Sequence, residues 1–369
     1  MNRFAIALVT LASLLTAGCT ADEPSVAVSG QRAISLSAYA SRQLTRGASV
    51  VSGGIPDGQS IGIYAYYHKN ATWSATATPN FMWNQRAVSL WYDDQLSYSP
   101  LKYWPNSEHD KLSFMAYYPY VASGTVNGVT PLLPNDGIGL PTFRLTVDDD
   151  ADRETDLLVS DLIANLPRSR DTSDAPGTPF NDLTIQDRVR FVFHHATAMV
   201  EFRVVVDPHL VTDLAHFKIN SLVLTNITKE GILQPVYESS TGTTTLTWTP
   251  TMPAVRHDYD FTTYEPRLLL PQTLGDDALF KLDYEMTFKS SQTVYTYDGT
   301  MPQRTDAYTY RYSDVAIQLN TLCQSGTTTP VAAWLPDHHY IYTIRLQANR
   351  IDFTAEVAPW GDYNWITIS

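Results

Sequence analysis

The chain has 369 residues, 44 % of them hydrophobic, which is enough for large cores and too much for a disordered chain. Thirty-eight Asp+Glu against 25 Lys+Arg give a formal charge of −13 with no long basic run. The summed field repels a phosphate backbone, which argues against nucleic acid and against a polybasic membrane contact.

The first nineteen residues, MNRFAIALVTLASLLTAGC, have the parts of a secretory signal. Arg3 supplies a positive start, and Phe4 to Leu15 form an apolar run too short to span a bilayer. Thr16, Ala17 and Gly18 are small, and Cys19 follows. This ending is similar to the lipobox of bacterial lipoproteins, in which the peptide is cut before a cysteine that then takes lipid. Thr16 stands where that motif usually has Leu, and Leu15 lies one place further back. An ordinary signal peptide with a chance cysteine is the alternative. The other cysteine is Cys323, so no disulfide framework is present.

Next comes AISLSAYASRQLTRG, residues 33–47. Ile34, Leu36, Ala38 and Ala40 alternate, the pattern of a half-buried strand. A polar run follows and ends in Thr45, Arg46 and Gly47.

From Gln59 onward the chain reads as strand after strand. Ile61, Ile63, Ala65 and Tyr67 share one face, as do Leu112, Phe114, Ala116 and Tyr118. Loops carrying Trp73, Trp83, Trp91 and Trp104 lie between them. Long loops with short strands are expected to Leu140, then a strand at 143–147. DLLVSDLIANL (156–166) fits either a helical turn or a strand. Residues 167–182, PRSRDTSDAPGTPFND, are the clearest compositional break and mark a domain boundary. RVRFVFHHATAMVEFRVVVD then reads as one long strand, with Val192, Ala196, Ala198, Val200, Phe202, Val204 and Val206 on one face. Further strands are expected at SLVLTNI, TLTWT, RLLLP, KLDYEMTF, QTVYTYD, AYTYRY and VAIQL, and YIYTIRLQANRIDFTAEV closes as a β-hairpin. Abundant Tyr (22 residues), 22 Pro and 18 Gly agree with an all-β chain, and two β-sandwiches are the natural architecture.

Little in the sequence points to catalysis. Adjacent histidines, His194-His195 and His338-His339, face opposite ways on a strand and do not share one ion. Asp148, Asp150, Asp152, Glu154 and Asp156 alternate, but a calcium loop needs glycine and glutamate where Arg153 and Val159 stand, so a solvated acidic loop is expected. No GxSxG, HExxH, P-loop or helix-leading GxGxxG occurs, which argues against an enzyme. The tryptophans before residue 105 fit buried core positions or a sugar-stacking platform.

Taken in order, DGQSIGIYAYY, LKYWPNSEHDKLSFMAYYPY, FVFHHATAMVEFRV, LLLPQ and YTIRLQANRIDFTAEVAPW resemble the fimbrillin family, the pilins and accessory subunits of type V pili in Gram-negative anaerobes. The likeness runs from about Arg46 to Trp360. It implies two tandem transthyretin-like β-sandwich (Greek-key) domains after a lipoprotein signal peptide. The division is then 1–18 signal peptide, 19–46 propeptide with a removable strand, 47–182 N-terminal sandwich and 183–369 C-terminal sandwich. It further implies a precursor held at the cell outer membrane by lipid on Cys19, and cleavage after an arginine between Thr and a small residue. Thr45-Arg46-Gly47 matches, with Arg42 a nearby competitor. Loss of the strand carrying Ile34, Leu36, Ala38 and Ala40 would admit a strand from another subunit, in an extracellular pilus. The implied partners are other pilus subunits and a receptor on a host or bacterial surface, with no cofactor and no metal. The C-terminal GDYNWITIS, with Ile366 and Ile368, is short for a donor strand, which leaves shaft and tip or accessory roles open. Two other readings stand beside this one: a surface glycan-binding lipoprotein of a nutrient-uptake system, and a surface glycosidase.

Overall fold

The computed structural model describes residues 33–40, 54–90, 95–107, 109–132, 137–167, 188–208, 212–294, 301–346 and 351–359. More than half of those residues are strand and nearly all the rest are turns and loops; among the described residues the named helical elements are two single 3-10 turns, at Ala151–Arg153 and Leu319–Thr321. The all-β expectation holds.

The first sheet contains β1 (Ser35–Ala40), β2 (Ser60–His68), β3 (Met82–Ser89), β4 (Gln95–Tyr98), β5 (Lys111–Tyr118), β8 (Leu158–Ser160), β9 (Ile163–Pro167) and β10 (Arg188–His195). Its order is β2-β3-β4-β1-β10-β8-β5-β9, and β2 also pairs with β5. That last pairing closes a ring of seven strands, β2-β3-β4-β1-β10-β8-β5, which has no free edge. Alternation puts one side chain in two inside the ring. Ile61, Ile63, Ala65, Leu112, Phe114, Ala116, Leu158, Val189, Phe191 and Phe193 form this inner core, with Trp104 and Phe114 edge to face.

The outward face of β2 and β5 packs on a second sheet. Tyr64, Tyr66, Met115 and Tyr117 meet Phe143 and Leu145 from β7 (Thr142–Thr146) and Leu233 from β13 (Glu230–Glu238). That sheet runs β14-β13-β7-β6, with β6 at Val129–Leu132 and β14 at Thr243–Pro250. Gly62 sits opposite Tyr117 across β2 and β5. A Cβ on Gly62 would lie 2.1 Å from the Tyr117 ring, so only glycine lets that ring cross the strand.

The C-terminal half is a sandwich. One sheet is β16-β11-β22-β23, from β16 (Arg267–Leu269), β11 (Ala198–Val206), β22 (His338–Leu346) and β23 (Ile351–Pro359). The other is β15-β12-β18-β20-β19, from β15 (Arg256–Asp260), β12 (Leu214–Thr228), β18 (Leu279–Phe288), β20 (Thr309–Gln318) and β19 (Gln303–Arg304). Aromatic rings fill the gap: Phe202 stacks on Phe280 at 4.7 Å and on Tyr342 at 5.3 Å. A two-stranded pair, β17 (Gln272–Thr273) with β21 (Ala333–Trp334), completes the described sheets.

Several expectations change. The long strand over 188–206 is two strands that join different sheets. Val189, Phe191, Phe193 and His195 face inward on β10, whereas Ala198, Val200 and Phe202 are the core-facing row on β11. Of the face named from Val192 through Val206, Ala196, Ala198, Val200, Phe202, Val204 and Val206 do share one core, and only Val192 lies off it, because the chain bends at Ala196-Thr197 and the parity flips on β10. DLLVSDLIANL resolves as β8 and β9. Residues 82–89 and 95–98, read as loop, are strands β3 and β4, and Trp83 lies on the first. Residues 292–294 of QTVYTYD are not strand, and the rest lie outside the described residues. Strands from both sides of the 182/183 division share sheets: β10 joins β1 and β8, and β13 joins β7.

Candidate functional site

The most distinctive feature of the ring is the strand that enters it first. Between β1 and the remainder of its ring lie residues 41–53, outside the described residues. β1 runs parallel to β10, with Leu36 opposite Val189, Ala38 opposite Phe191 and Ala40 opposite Phe193. On its other side it runs antiparallel to β4, with Leu36 opposite Leu96 and Ser37 opposite Gln95. A segment remote from both neighbours in sequence is thus the stave between them.

Its side chains fit accordingly. Ile34, Leu36 and Ala38 are 1–2 % exposed and belong to the inner core. Ser37, on the opposite face, is also buried. The Ile34 N–H donates to the Lys102 carbonyl at 2.9 Å, and Ala33 bridges Tyr103, so the pairing continues past the start of the strand. The Tyr98 hydroxyl donates to the Ile34 carbonyl at 2.8 Å. Burial pushes that hydroxyl up to about 12, so it remains a donor throughout the physiological range. Outside the ring, the Arg190 guanidinium lies 5.0 Å from the centre of the Tyr39 ring.

Cys19, Arg42, Arg46 and Gly47 lie outside the described residues, as do Trp91 and 360–369. The structure brings together Ile34, Leu36 and Ala38, and adds the walls that line their seat: Leu96, Tyr98, Val189, Phe191 and Phe193. The Val189/Phe191/Phe193 alternation is visible in the sequence, but the even-numbered parity read across Ala196 hid it.

A second cluster sits where the chain leaves the ring. His194 Nε2 is 3.1 Å from Asp161 and its Nδ1 is 3.3 Å from Asp337. Hydrogen bonds donated by the imidazole to those carboxylates, Asp161 first, raise its pKa to about 10. His195 faces the other way and meets Asp156 at 2.8 Å, both side chains fully buried. The Asp337 carboxylate also accepts the His195 N–H, and the Asp337 N–H donates to the Thr197 carbonyl. These contacts hold the bend between β10 and β11.

The acidic run is only in part the solvated loop expected: Asp150 and Asp152 are exposed. Glu154 and Asp156 are buried. Glu154 accepts from Arg267 Nε and from the Leu268 N–H, while Arg267 also donates to the Asp148 and Asp149 carbonyls. Burial pushes the Glu154 carboxyl up to about 7, against the pull of Arg267. The tryptophans divide: Trp104 is buried, Trp73 is half-buried against Tyr66, and Trp83 is 50 % exposed.

β1 thus closes a ring of strands that packs on a second sheet and is followed by a β-sandwich. The chain belongs to the fimbrillin-like family, whose model matches residues 45–360; this is a family of fimbrial structural proteins, not of enzymes. The fold is that of a fimbrial protein from Bacteroides vulgatus, with TM-score 0.59 at 18 % identity over 88 % of this chain and 99 % of that one. A fimbrilin from Porphyromonas gingivalis gives TM-score 0.41 at 10 % identity over 90 % and 98 % of the two chains. A C-terminally truncated tip fimbrial protein from the same organism gives 0.41 at 9 % identity over 89 % and 100 %. No curated protein matches the sequence.

Proposed function

We propose that the chain is a subunit of a cell-surface pilus, exported as a lipoprotein through Cys19, whose own β1 blocks assembly until a cut after Arg46 releases it. The observation that supports this reading is the position of β1 between β4 and β10. Burying Ile34 and Leu36 is worth roughly 1.5–3 kcal/mol each, and each ladder hydrogen bond adds about 0.5–1.5 kcal/mol. A strand tethered through residues 41–53 rebinds faster than any outside strand can compete. Cutting at Arg46 ends that advantage and parts the body from its lipid.

Once β1 leaves, β4 and β10 present unpaired backbone, and Leu96, Val189, Phe191 and Phe193 lose their cover. A strand from a neighbouring subunit fits by running parallel to β10 and antiparallel to β4, a case of β-augmentation. Such a contact is head-to-tail and grows a fibre. On this reading the chain comprises two tandem sandwiches, with β10 counted in the first although it follows the 182/183 boundary. A shaft subunit donates residues 361–369 in turn, whereas a tip or accessory subunit only accepts; truncation at 360 stops the fibre in the first case and not in the second.

The test is mass spectrometry of the surface-exposed protein. A mature start at Gly47 in fibres supports the reading. A lipid-bearing start at Cys19 in chains already incorporated into fibres contradicts it.

A further inference from the structure

β13 is longer than its neighbour. It pairs with β7 only over Glu230–Leu233, then continues to Glu238 while the chain before β7 swings away. The divergence opens a cavity of 350 Å³ between Gln234–Tyr237 and the segment 138–142, with Trp73 on its wall. That volume lies at the lower end of the roughly 300–1,000 Å³ typical of small-ligand sites.

The lining has a particular chemistry. No lining side chain is charged, in a chain that carries −13 overall. Trp73 and Tyr237 contribute partly exposed aromatic rings. Among the described residues, the Trp73 indole N–H, the Gln234 amide and the Tyr237 hydroxyl have no hydrogen-bond partner. Thr142 donates its hydroxyl to the Leu132 carbonyl and keeps its own oxygen as an acceptor. The wall is braced: Trp73 packs edge-on against Tyr66 at 4.6 Å, and the Tyr66 hydroxyl donates to the Gly139 carbonyl. On the other side of the same segment, Trp83 approaches Gly137 and is half exposed.

Aromatic faces beside neutral donors and acceptors suit a ligand with apolar C–H faces and many hydroxyls but no charge. We propose that this cleft is a binding site for a neutral pyranose sugar, with Trp73 and Tyr237 offering rings to its C–H face and Gln234 and Thr142 reading its hydroxyls. The proposal goes beyond the assembly reading, because it concerns the uncut monomer and needs no strand exchange.

The experiment is saturation-transfer difference NMR on the full uncut chain with glucose, galactose, mannose, N-acetylglucosamine and their β1,4-linked disaccharides. At least one sugar is expected to receive saturation from the protein through its ring C–H protons. Gln234→Ala and Tyr237→Ala are expected to weaken that sugar at least tenfold; Gln234→Ala, at an exposed position, leaves the melting temperature unchanged, whereas Tyr237→Ala also removes a ring packed on the core and lowers it. No transfer to any of these sugars overturns the proposal. So does transfer that Gln234→Ala and Tyr237→Ala leave unchanged, or displacement of the sugar by an extended peptide that pairs along Gln234–Tyr237. Assembly of the cut chain is scored separately, so either idea can fail without the other.

Discussion

Tyr98 donates its hydroxyl to the carbonyl oxygen of Ile34, 2.8 Å away and out of water. One residue on β4 thereby grips the start of β1 beyond the backbone ladder. Tyr98→Phe removes that bond and leaves a buried carbonyl with one partner fewer. The expected cost is about 0.5–1.5 kcal/mol. Hydrogen exchange is the readout: amides of β1 should exchange faster, while those of β18 and β22 in the C-terminal sandwich should not change.

Among the described side chains of β1, Leu36 is the least exposed, at 1 %, between Val189 and Leu96. Leu36→Ala should destabilise the seat by about 2–5 kcal/mol, the range for large-to-small changes in a core. In the uncut chain this appears as a lower urea midpoint for the N-terminal half. In the cut chain it appears as faster loss of β1.

Gly62→Ala tests the crossing of β2 by the Tyr117 ring. The added methyl cannot coexist with the ring as placed, so the ring must move, and with it the hydroxyl that donates to Asn84 and to the Val121 carbonyl. Overpacking of this kind costs about 1–3 kcal/mol. Calorimetry should show the loss, and the double change with Tyr117→Leu should recover part of it.

The pH dependence at the β10–β11 bend follows from His194. Its folded pKa, about 10, lies above the ordinary 6.5 because Asp161 and then Asp337 hold the charged form. Its contribution is therefore complete below about 6.5 and fades as pH rises through 10. The side chain is 37 % exposed, so solvent screening keeps the effect modest. His194→Gln should lower the melting temperature at pH 6, and the gap to the wild type should close by pH 10. A gap that grows with pH would contradict this assignment.

Much of the fold was legible because period-two alternation is a local signal. Ile61/Ile63/Ala65 and Leu112/Phe114/Ala116 announce one face each, and those faces do line the ring. What alternation lacks is the identity of the partner. Nothing local says that β10 pairs with β1 and β11 with β22, so 188–206 reads as one strand when it is two. The buried acids were hidden for the same reason. Arg267 lies 113 residues from Glu154, and His195 lies 39 residues from Asp156. Without those partners an acidic run looks solvated. The apolar residues of β1 were visible individually, but the gap they fill is made by two strands far along the chain.

Competition with a free copy of the leader strand tests the central claim most directly. The chain is cut with trypsin and its mass followed by light scattering, with and without excess of a synthetic peptide spanning residues 33–46. The account predicts that the cut chain sheds these residues and forms multimers. The peptide should hold it as a monomer, and a peptide carrying Leu36→Asp should not. A cut chain that keeps 33–46 seated and still polymerises, or that polymerises equally with the native peptide in excess, contradicts it.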